Sequence, residues 1–170
     1  MKKISILTLV IFTAFSLGNC EKDDICADGT ITTPQLVIEF FDATDQTQLK
    51  NVTNLLVVAE GYTSGFAYSG VNQILFPLKT TDDVTTLQFI QNGTTTDTAD
   101  DNIDSITFNY IRENIYISRA CGYKTNFTLN DLNGVQIQTD SDNWISTTVL
   151  PIIEQPEITN ENEVHVKIYF

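Results

Sequence analysis

The residues whose types and spacing point most clearly to chemistry are three cysteines, Cys20, Cys26 and Cys121. A cysteine thiol can accept an acyl chain or form a disulfide, and the compartment decides which use is available. An odd number of cysteines cannot form a fully paired disulfide framework, so one of the three must have another role. The residues around each cysteine distinguish these roles.

The start of the sequence has the pattern of a secretory signal peptide. Two lysines precede an uncharged, largely apolar stretch of about 14 residues, Ile4–Leu17. A membrane-spanning helix needs roughly 20 such residues. The stretch therefore predicts a cleaved signal rather than a permanent transmembrane anchor.

The segment Leu17–Cys20 (LGNC) indicates the type of signal. It resembles a bacterial lipoprotein box, in which the cysteine thiol is acylated and the signal is cut just before it. We therefore expect residues 1–19 to be removed and acyl chains, including palmitate, to be attached at Cys20. The alternative is an ordinary signal cut near residues 14–16, which leaves Cys20 as a plain thiol.

A charged segment directly after Cys20 predicts the location of the protein. Lys22, Asp23 and Asp24 resemble the surface-export signal of Bacteroidota lipoproteins, which moves them to the outer leaflet of the outer membrane. The sequence thus predicts a lipid-anchored outer-membrane protein that faces the cell exterior. It predicts no cofactor beyond the acyl chains on Cys20. A solvated acidic tether without an export role is the alternative.

Cys26 and Cys121 remain once Cys20 carries lipid. In an oxidising compartment two spare thiols usually pair, and this disulfide would close a loop of about 100 residues. The chain-entropy model values such a loop at about 4 to 5 kcal/mol. Two buried free cysteines are the alternative. Because Cys26 lies six residues after Cys20, the tether spans at most roughly 20 Å, and we expect the domain to lie close to the membrane.

The charge balance excludes some classes of partner. The chain has 22 acidic and 9 basic side chains and a net charge of -13. Removing residues 1–19 removes two lysines and no acid, so the remaining chain has a net charge of -15. Nucleic acid and anionic membrane surfaces repel such a chain, and we predict neither as an electrostatic partner.

Short apolar runs separated by turn residues fill the rest of the chain. Ile106–Tyr110 alternates apolar and polar residues, as a half-buried strand does, and Glu113–Asn114 predicts a two-residue hairpin turn. Eight to ten strands, spaced by about 8 to 15 residues, predict an all-β fold, an antiparallel β-sandwich of immunoglobulin-like architecture. Residues 20–33 then form the lipidated N-terminus and tether, and residues 34–170 form a single sandwich domain.

The chain shows no catalytic or metal-binding motif. His165 is the only histidine, and alternation in the last strand places it on the solvent face with Lys167. Acidic residues cluster at positions 97–104 and 140–142 without the spacing of a calcium loop. We therefore predict no metal site, no catalytic residue and no enzyme activity. A hydrolase built on a carboxylate pair is the less favoured alternative.

Four aromatic residues are candidate ligand contacts. Tyr62, Phe66 and Tyr68 lie in a glycine-rich segment, residues 61–70, and Trp144 is the only tryptophan. Exposed aromatic rings can stack on sugar rings or anchor a protein partner. The alternative is that they pack on the sheet as ordinary hairpin residues.

Two triplets are candidate modification sites. Asp97-Thr98-Ala99 and Asp104-Ser105-Ile106 resemble the Asp-Ser/Thr-apolar triplets that are O-glycosylated in Bacteroidota. The sequence thus marks Thr98 and Ser105 as candidate O-glycosylation sites.

Three segments together resemble a family of small, uncharacterised flavobacterial lipoproteins with a domain of unknown function. They are Cys20–Cys26 (CEKDDIC), Ser118–Tyr123 (SRACGY) and His165–Ile168 (HVKI). The resemblance covers essentially the whole mature chain. It implies the lipid anchor and the export route, and it implies no known activity, ligand or catalytic residue.

These observations predict a non-catalytic binding or accessory module on the outer membrane. One hypothesis is a structural or accessory subunit that contacts an outer-membrane protein near the anchor, because the tether is short. A second is a surface module that binds a carbohydrate or another ligand through its aromatic residues.

Overall fold

The computed structural model describes residues 25–30 and 32–170 of the chain. Contacts between residues divide the chain into two compact units. Of the described residues, the first unit contains 25–30 and Tyr116–Tyr123, and the second contains 32–115 and Lys124–Phe170.

Eleven β-strands account for the regular structure of the described residues, apart from a single 3-10 turn at Thr98–Asp100. In chain order they are β1 Leu36–Phe41, β2 Leu55–Ala59, β3 Phe66–Tyr68, β4 Gln73–Phe76, β5 Val84–Gln91, β6 Asn102–Ser118, β7 Gly122–Leu129, β8 Val135–Ile137, β9 Ile152–Ile153, β10 Glu157–Ile158 and β11 Val166–Tyr169.

The strands form two packed sheets, which confirms the all-β sandwich. The smaller sheet has the order β4-β1-β11-β9, and the larger has the order β10-β7-β6-β5-β2-β3, with β8 paired to β6. Among the strand pairs whose register is described, all ladders but one are antiparallel. β1 and β11 run parallel, from Ile38 opposite Val166 to Phe41 opposite Tyr169. Parallel neighbours need a long connection, and here almost the whole domain lies between them.

The core lies between the sheets and follows the alternation of the strands. On β6, Ile106, Phe108 and Tyr110 are buried, and the polar residues between them point to the other face, as the sequence predicts. Phe40 of β1 and Phe89 of β5 meet edge to face across the two sheets, with ring centroids 6.5 Å apart. Such aromatic pairs add about 0.5–1.5 kcal/mol beyond their buried area.

The predicted hairpin turn at Glu113–Asn114 is wrong. Strand β6 continues through both residues to Ser118, and the chain turns at residues 119–121. A tight hairpin favours glycine where φ is positive. Gly122, with φ of +70°, supplies that conformation, whereas Glu113 cannot adopt it without strain.

The predicted solvent-facing position of His165 is also wrong, because its side chain is fully buried. His165 directly precedes β11, and its Nδ1 accepts a hydrogen bond of 2.9 Å from the backbone N–H of Val37 on β1. Desolvation lowers the pKa of the imidazole. Three nearby groups raise this pKa, but it stays below its ordinary value: the carboxylates of Glu163 and Glu161 and the backbone of Asn160. The ring is therefore neutral in the folded protein.

We expect the free energy of unfolding to fall as the pH drops below about 6.5, the ordinary pKa of histidine. The unfolded chain binds a proton on His165 there, whereas the folded chain, with its lowered pKa, does not. One group contributes at most about 1.4 kcal/mol per pH unit. Urea titrations between pH 7.5 and 5.5 measure the slope. In His165→Gln the slope should decrease, and an unchanged slope would contradict the assignment.

Candidate binding site

The predicted lipid and export residues Cys20, Lys22, Asp23 and Asp24 lie outside the described residues. The predicted disulfide between Cys26 and Cys121 is present, with its Cα atoms 4.9 Å apart. Both cysteines belong to the first unit. The disulfide therefore joins the segment after Cys20 to the turn between β6 and β7.

Two of the candidate aromatic residues line the same cleft in the second unit. Tyr62 and Phe66 are 66% and 49% exposed, and the cleft has a volume of about 370 Å³. Phe66 packs edge to face on Phe76, with centroids 5.2 Å apart. Lys79, Thr80 and Thr81 also line the cleft, which thus combines aromatic rings with hydroxyl groups and one cation.

The other two aromatic candidates have structural contacts. The Tyr68 hydroxyl donates a hydrogen bond of 2.7 Å to the carbonyl of Leu75. The Trp144 indole N–H donates to the carbonyl of Phe89 at 3.0 Å, and its ring packs on Phe170. Neither residue lines the Tyr62 cleft. The structure thus brings two of the four candidates together.

The two candidate O-glycosylation residues differ in accessibility. Thr98 is exposed in the 3-10 turn. Ser105 is half-buried near the start of β6, where its carbonyl accepts the N–H of Gln138 and its strand is paired with β5. Thr98 is accordingly the more accessible hydroxyl for a modifying enzyme.

A larger groove, which the sequence did not predict, lies beside β8. Its volume is about 520 Å³. Val135, Ile137 and Ile153 pack against the core and form apolar lining, to which Leu132 and Leu150 add side chains that are 100% and 68% exposed. Asp131 is the only charged lining residue.

The backbone of β8 offers free hydrogen-bonding groups on one edge. The N–H of Gln138 donates to Ser105, and the carbonyl of Gly134 accepts from Asn109, so the even-numbered residues face β6. The N–H and carbonyl groups of Val135 and Ile137 therefore point away from β6. β8 pairs with no other described strand.

The five-residue loop between β7 and β8, Asn130–Gly134, places Leu132 beside the groove. Asn109 fixes this loop with two hydrogen bonds. Its backbone carbonyl accepts from the N–H of Asn130, and its side-chain amide donates to the carbonyl of Asn133 at 2.7 Å. A Cβ on Gly134 would lie 2.4 Å from the carbonyl oxygen of Asn130, so only glycine fits there. The sequence signal was a leucine inside a cluster of turn residues (NDLNG).

A buried carboxylate holds the loop that follows β8. Asp104 of β6 has no exposed surface, and it accepts hydrogen bonds from the backbone N–H of Ile145 at 2.7 Å and the side-chain amide of Asn143 at 3.1 Å. Desolvation raises the pKa of the Asp104 carboxyl. This carboxylate thus has a structural role in positioning the loop.

Metal and membrane-spanning features are absent from the part of the chain that the structure describes. No group of three or more histidine, cysteine, aspartate or glutamate side chains there could hold a metal ion. Within the same residues, no helix has the length and apolarity to cross a membrane.

A family model with the description "Family of unknown function (DUF6452)" matches residues 54–170. The match includes two of the three segments that carried the resemblance in sequence, Ser118–Tyr123 and His165–Ile168, and begins after Cys20–Cys26. No curated protein and no solved structure matches the chain.

Proposed function

The chain belongs to DUF6452, a family of unknown function, and from its own residues we propose a non-catalytic accessory module anchored in the outer membrane. In this proposal the chain is a lipoprotein of the Bacteroidota type, acylated on Cys20 and exported to the cell surface by Lys22, Asp23 and Asp24. Its sandwich domain binds an extended segment of a partner protein along β8.

The observation that carries the binding proposal is the edge of β8. Main-chain donors and acceptors of Val135 and Ile137 point outward beside an apolar groove of 520 Å³. An extended segment satisfies both, because its backbone continues the ladder while alternate side chains enter the groove.

The charge of the chain favours, as the partner that binds along β8, a basic segment of another protein rather than a second copy of this chain. The mature chain has a net charge of -15, so two copies repel each other. The groove itself carries Asp131, and Asp140 and Asp142 follow shortly after β8. A partner segment with lysine or arginine beside apolar residues matches this surface.

The lining of both cavities supports a non-catalytic role. The groove beside β8 contains one carboxylate, Asp131, and the cleft beside Tyr62 contains none. Glycoside hydrolysis of the usual kind needs two carboxylates that face each other across the substrate, and neither cavity has such a pair.

Removal of the Cys20 thiol tests the anchor. We expect Cys20→Ala to abolish palmitate incorporation and release the protein from the membrane fraction, since no other residue would hold acyl chains. Protease treatment of intact cells should digest the wild-type protein. Label retained in Cys20→Ala would contradict the lipid site, and protection from protease would contradict surface display.

Site-specific photocrosslinking tests the partner. A photoreactive residue at Leu132 should give a covalent adduct on intact cells, whereas the same residue at Gln46, which is exposed away from the groove lining, should not. In a Val135→Pro background the Leu132 adduct should be lost, because proline removes an outward N–H without breaking a bond to β6. An adduct that persists in Val135→Pro would contradict strand addition.

A second candidate is carbohydrate binding at the cleft of Tyr62 and Phe66, favoured by the exposure of both rings. Calorimetric titration of a glycan panel against wild type and Tyr62→Ala separates the two functions. Trp144 is a poor reporter for this purpose, because it does not line the cleft.

A further inference from the structure

The turn between β6 and β7 carries an exposed pair of aromatic rings. We call residues 116–123 the hairpin tip; they belong to the first unit. Tyr116 and Tyr123 are 57% and 69% exposed, and their ring centroids are 5.3 Å apart. In the same unit the side chain of Ile25 is 81% exposed. These side chains are amphipathic or apolar, and solvent covers most of their surface.

The stretch of sequence that contains the hairpin tip carries few charges. No acidic residue occurs between Glu113 and Asp131, and the only charged residues in that interval are Arg119 and Lys124. The chain as a whole has 22 acids and 9 bases. This stretch of sequence is therefore free of acids, although Asp28 and the acids of residues 21–24 flank Cys26, its disulfide partner.

The disulfide places the hairpin tip on a short covalent path from the lipid site. Cys121 lies in the tip and is bonded to Cys26, with a Cα–Cα distance of 4.9 Å. Cys26 lies six positions after Cys20, which limits their distance to roughly 20 Å. A group tethered this closely meets the membrane at a high effective concentration, so even weak contacts are occupied.

We propose that the hairpin tip is a second membrane contact, in which Tyr116 and Tyr123 lie at the level of the lipid headgroups. This inference rests on the proposed acylation of Cys20. Tyrosine suits that layer because its ring is apolar and its hydroxyl is polar. Lys124, directly after the tip, adds positive charge for the lipid phosphates. The acyl chains and the tip together would fix the orientation of the first unit on the bilayer.

Quenching of a single tryptophan by brominated lipids tests the contact. In full-length acylated protein, Trp144→Phe removes the only native tryptophan, and Tyr116→Trp then places a reporter in the tip. The control carries Trp144→Phe with Tyr62→Trp, at a tyrosine of similar exposure, 66%, outside the first unit. In phosphatidylcholine vesicles brominated high in the acyl chain, we expect quenching at 116 to exceed quenching at 62 at least about two-fold.

The disulfide provides an independent arm of the same test. Cys26→Ser with Cys121→Ser cuts the covalent path, so quenching at 116 should fall toward the level at 62 while the acyl chains still hold the protein on the vesicles. Equal quenching at the two positions in the intact protein would overturn the proposal, as would a protein partner crosslinked to the tip that leaves it unquenched.

The experiment distinguishes failure of the tip contact from failure of the lipid anchor at Cys20. Acylated protein that floats with the vesicles but shows no excess quenching at 116 overturns the tip contact alone. Protein whose intact mass lacks acyl chains on Cys20 overturns the anchor, and the tip contact with it.

Discussion

Replacing Cys26 and Cys121 together with serine is expected to lower the free energy of unfolding by about 4 to 5 kcal/mol. The two cysteines are 95 residues apart and bonded. Losing the cross-link frees the conformational entropy of that loop in the unfolded chain, and the chain-entropy model gives this magnitude. Since a domain of this size is stable by only about 5–15 kcal/mol, the loss removes much of its stability. Urea unfolding followed by Trp144 fluorescence measures it.

The chain contains a matched control for this experiment. Cys20→Ser changes the same residue type without touching the disulfide, so its unfolding midpoint should match that of the wild type. A reducing agent should lower the midpoint of the wild type and of Cys20→Ser, but not that of the double variant. A wild-type midpoint that is insensitive to reduction would contradict the stabilising role of the disulfide.

Asp104→Ala is expected to destabilise the second unit by about 2 to 4 kcal/mol. The carboxylate is fully buried and accepts from the N–H of Ile145 and the amide of Asn143. Its removal leaves a buried backbone donor without a partner, which costs about 1–3 kcal/mol, in addition to the lost contacts with the loop. Asp104→Asn should cost less, because one oxygen remains to accept a hydrogen bond.

Asp142→Ala serves as the control for Asp104, because its side chain is exposed and lies in the same loop. We expect it to change the unfolding free energy by no more than about 0.5 kcal/mol. Hydrogen exchange adds a local readout, since the amide of Ile145 should exchange faster in Asp104→Ala only. Unchanged protection of that amide would show that Asp104 does not hold the loop.

The sequence predicted those parts of the fold that depend on alternation over a whole strand. Ile106, Phe108 and Tyr110 are buried as predicted, because a period of two places them on one face of β6. The disulfide was predictable from the count of cysteines and the expected compartment. These signals need only the local pattern or the residue count.

The features that were missed depend on neighbours distant in sequence. His165 precedes the strand whose alternation was used to place it, and it is buried because the amide of Val37, 128 residues away, binds its ring. The groove beside β8 exists because Ile153 and Leu150 lie across from Val135 and Ile137. No local pattern records which loop faces which strand, so the only sign of the groove in the sequence was Leu132 within a cluster of turn residues.

The parallel pairing of β1 with β11 constrains the order in which the sheets can form during synthesis. β11 lies between β1 and β9 in the smaller sheet, so a ribosome must synthesise residues 166–169 before that sheet can form. Until then β1 pairs only with β4. The incomplete smaller sheet cannot cover the core residues of the larger sheet. A polypeptide with such long-range contacts folds slowly, so the smaller sheet cannot form until nearly the whole domain has been synthesised.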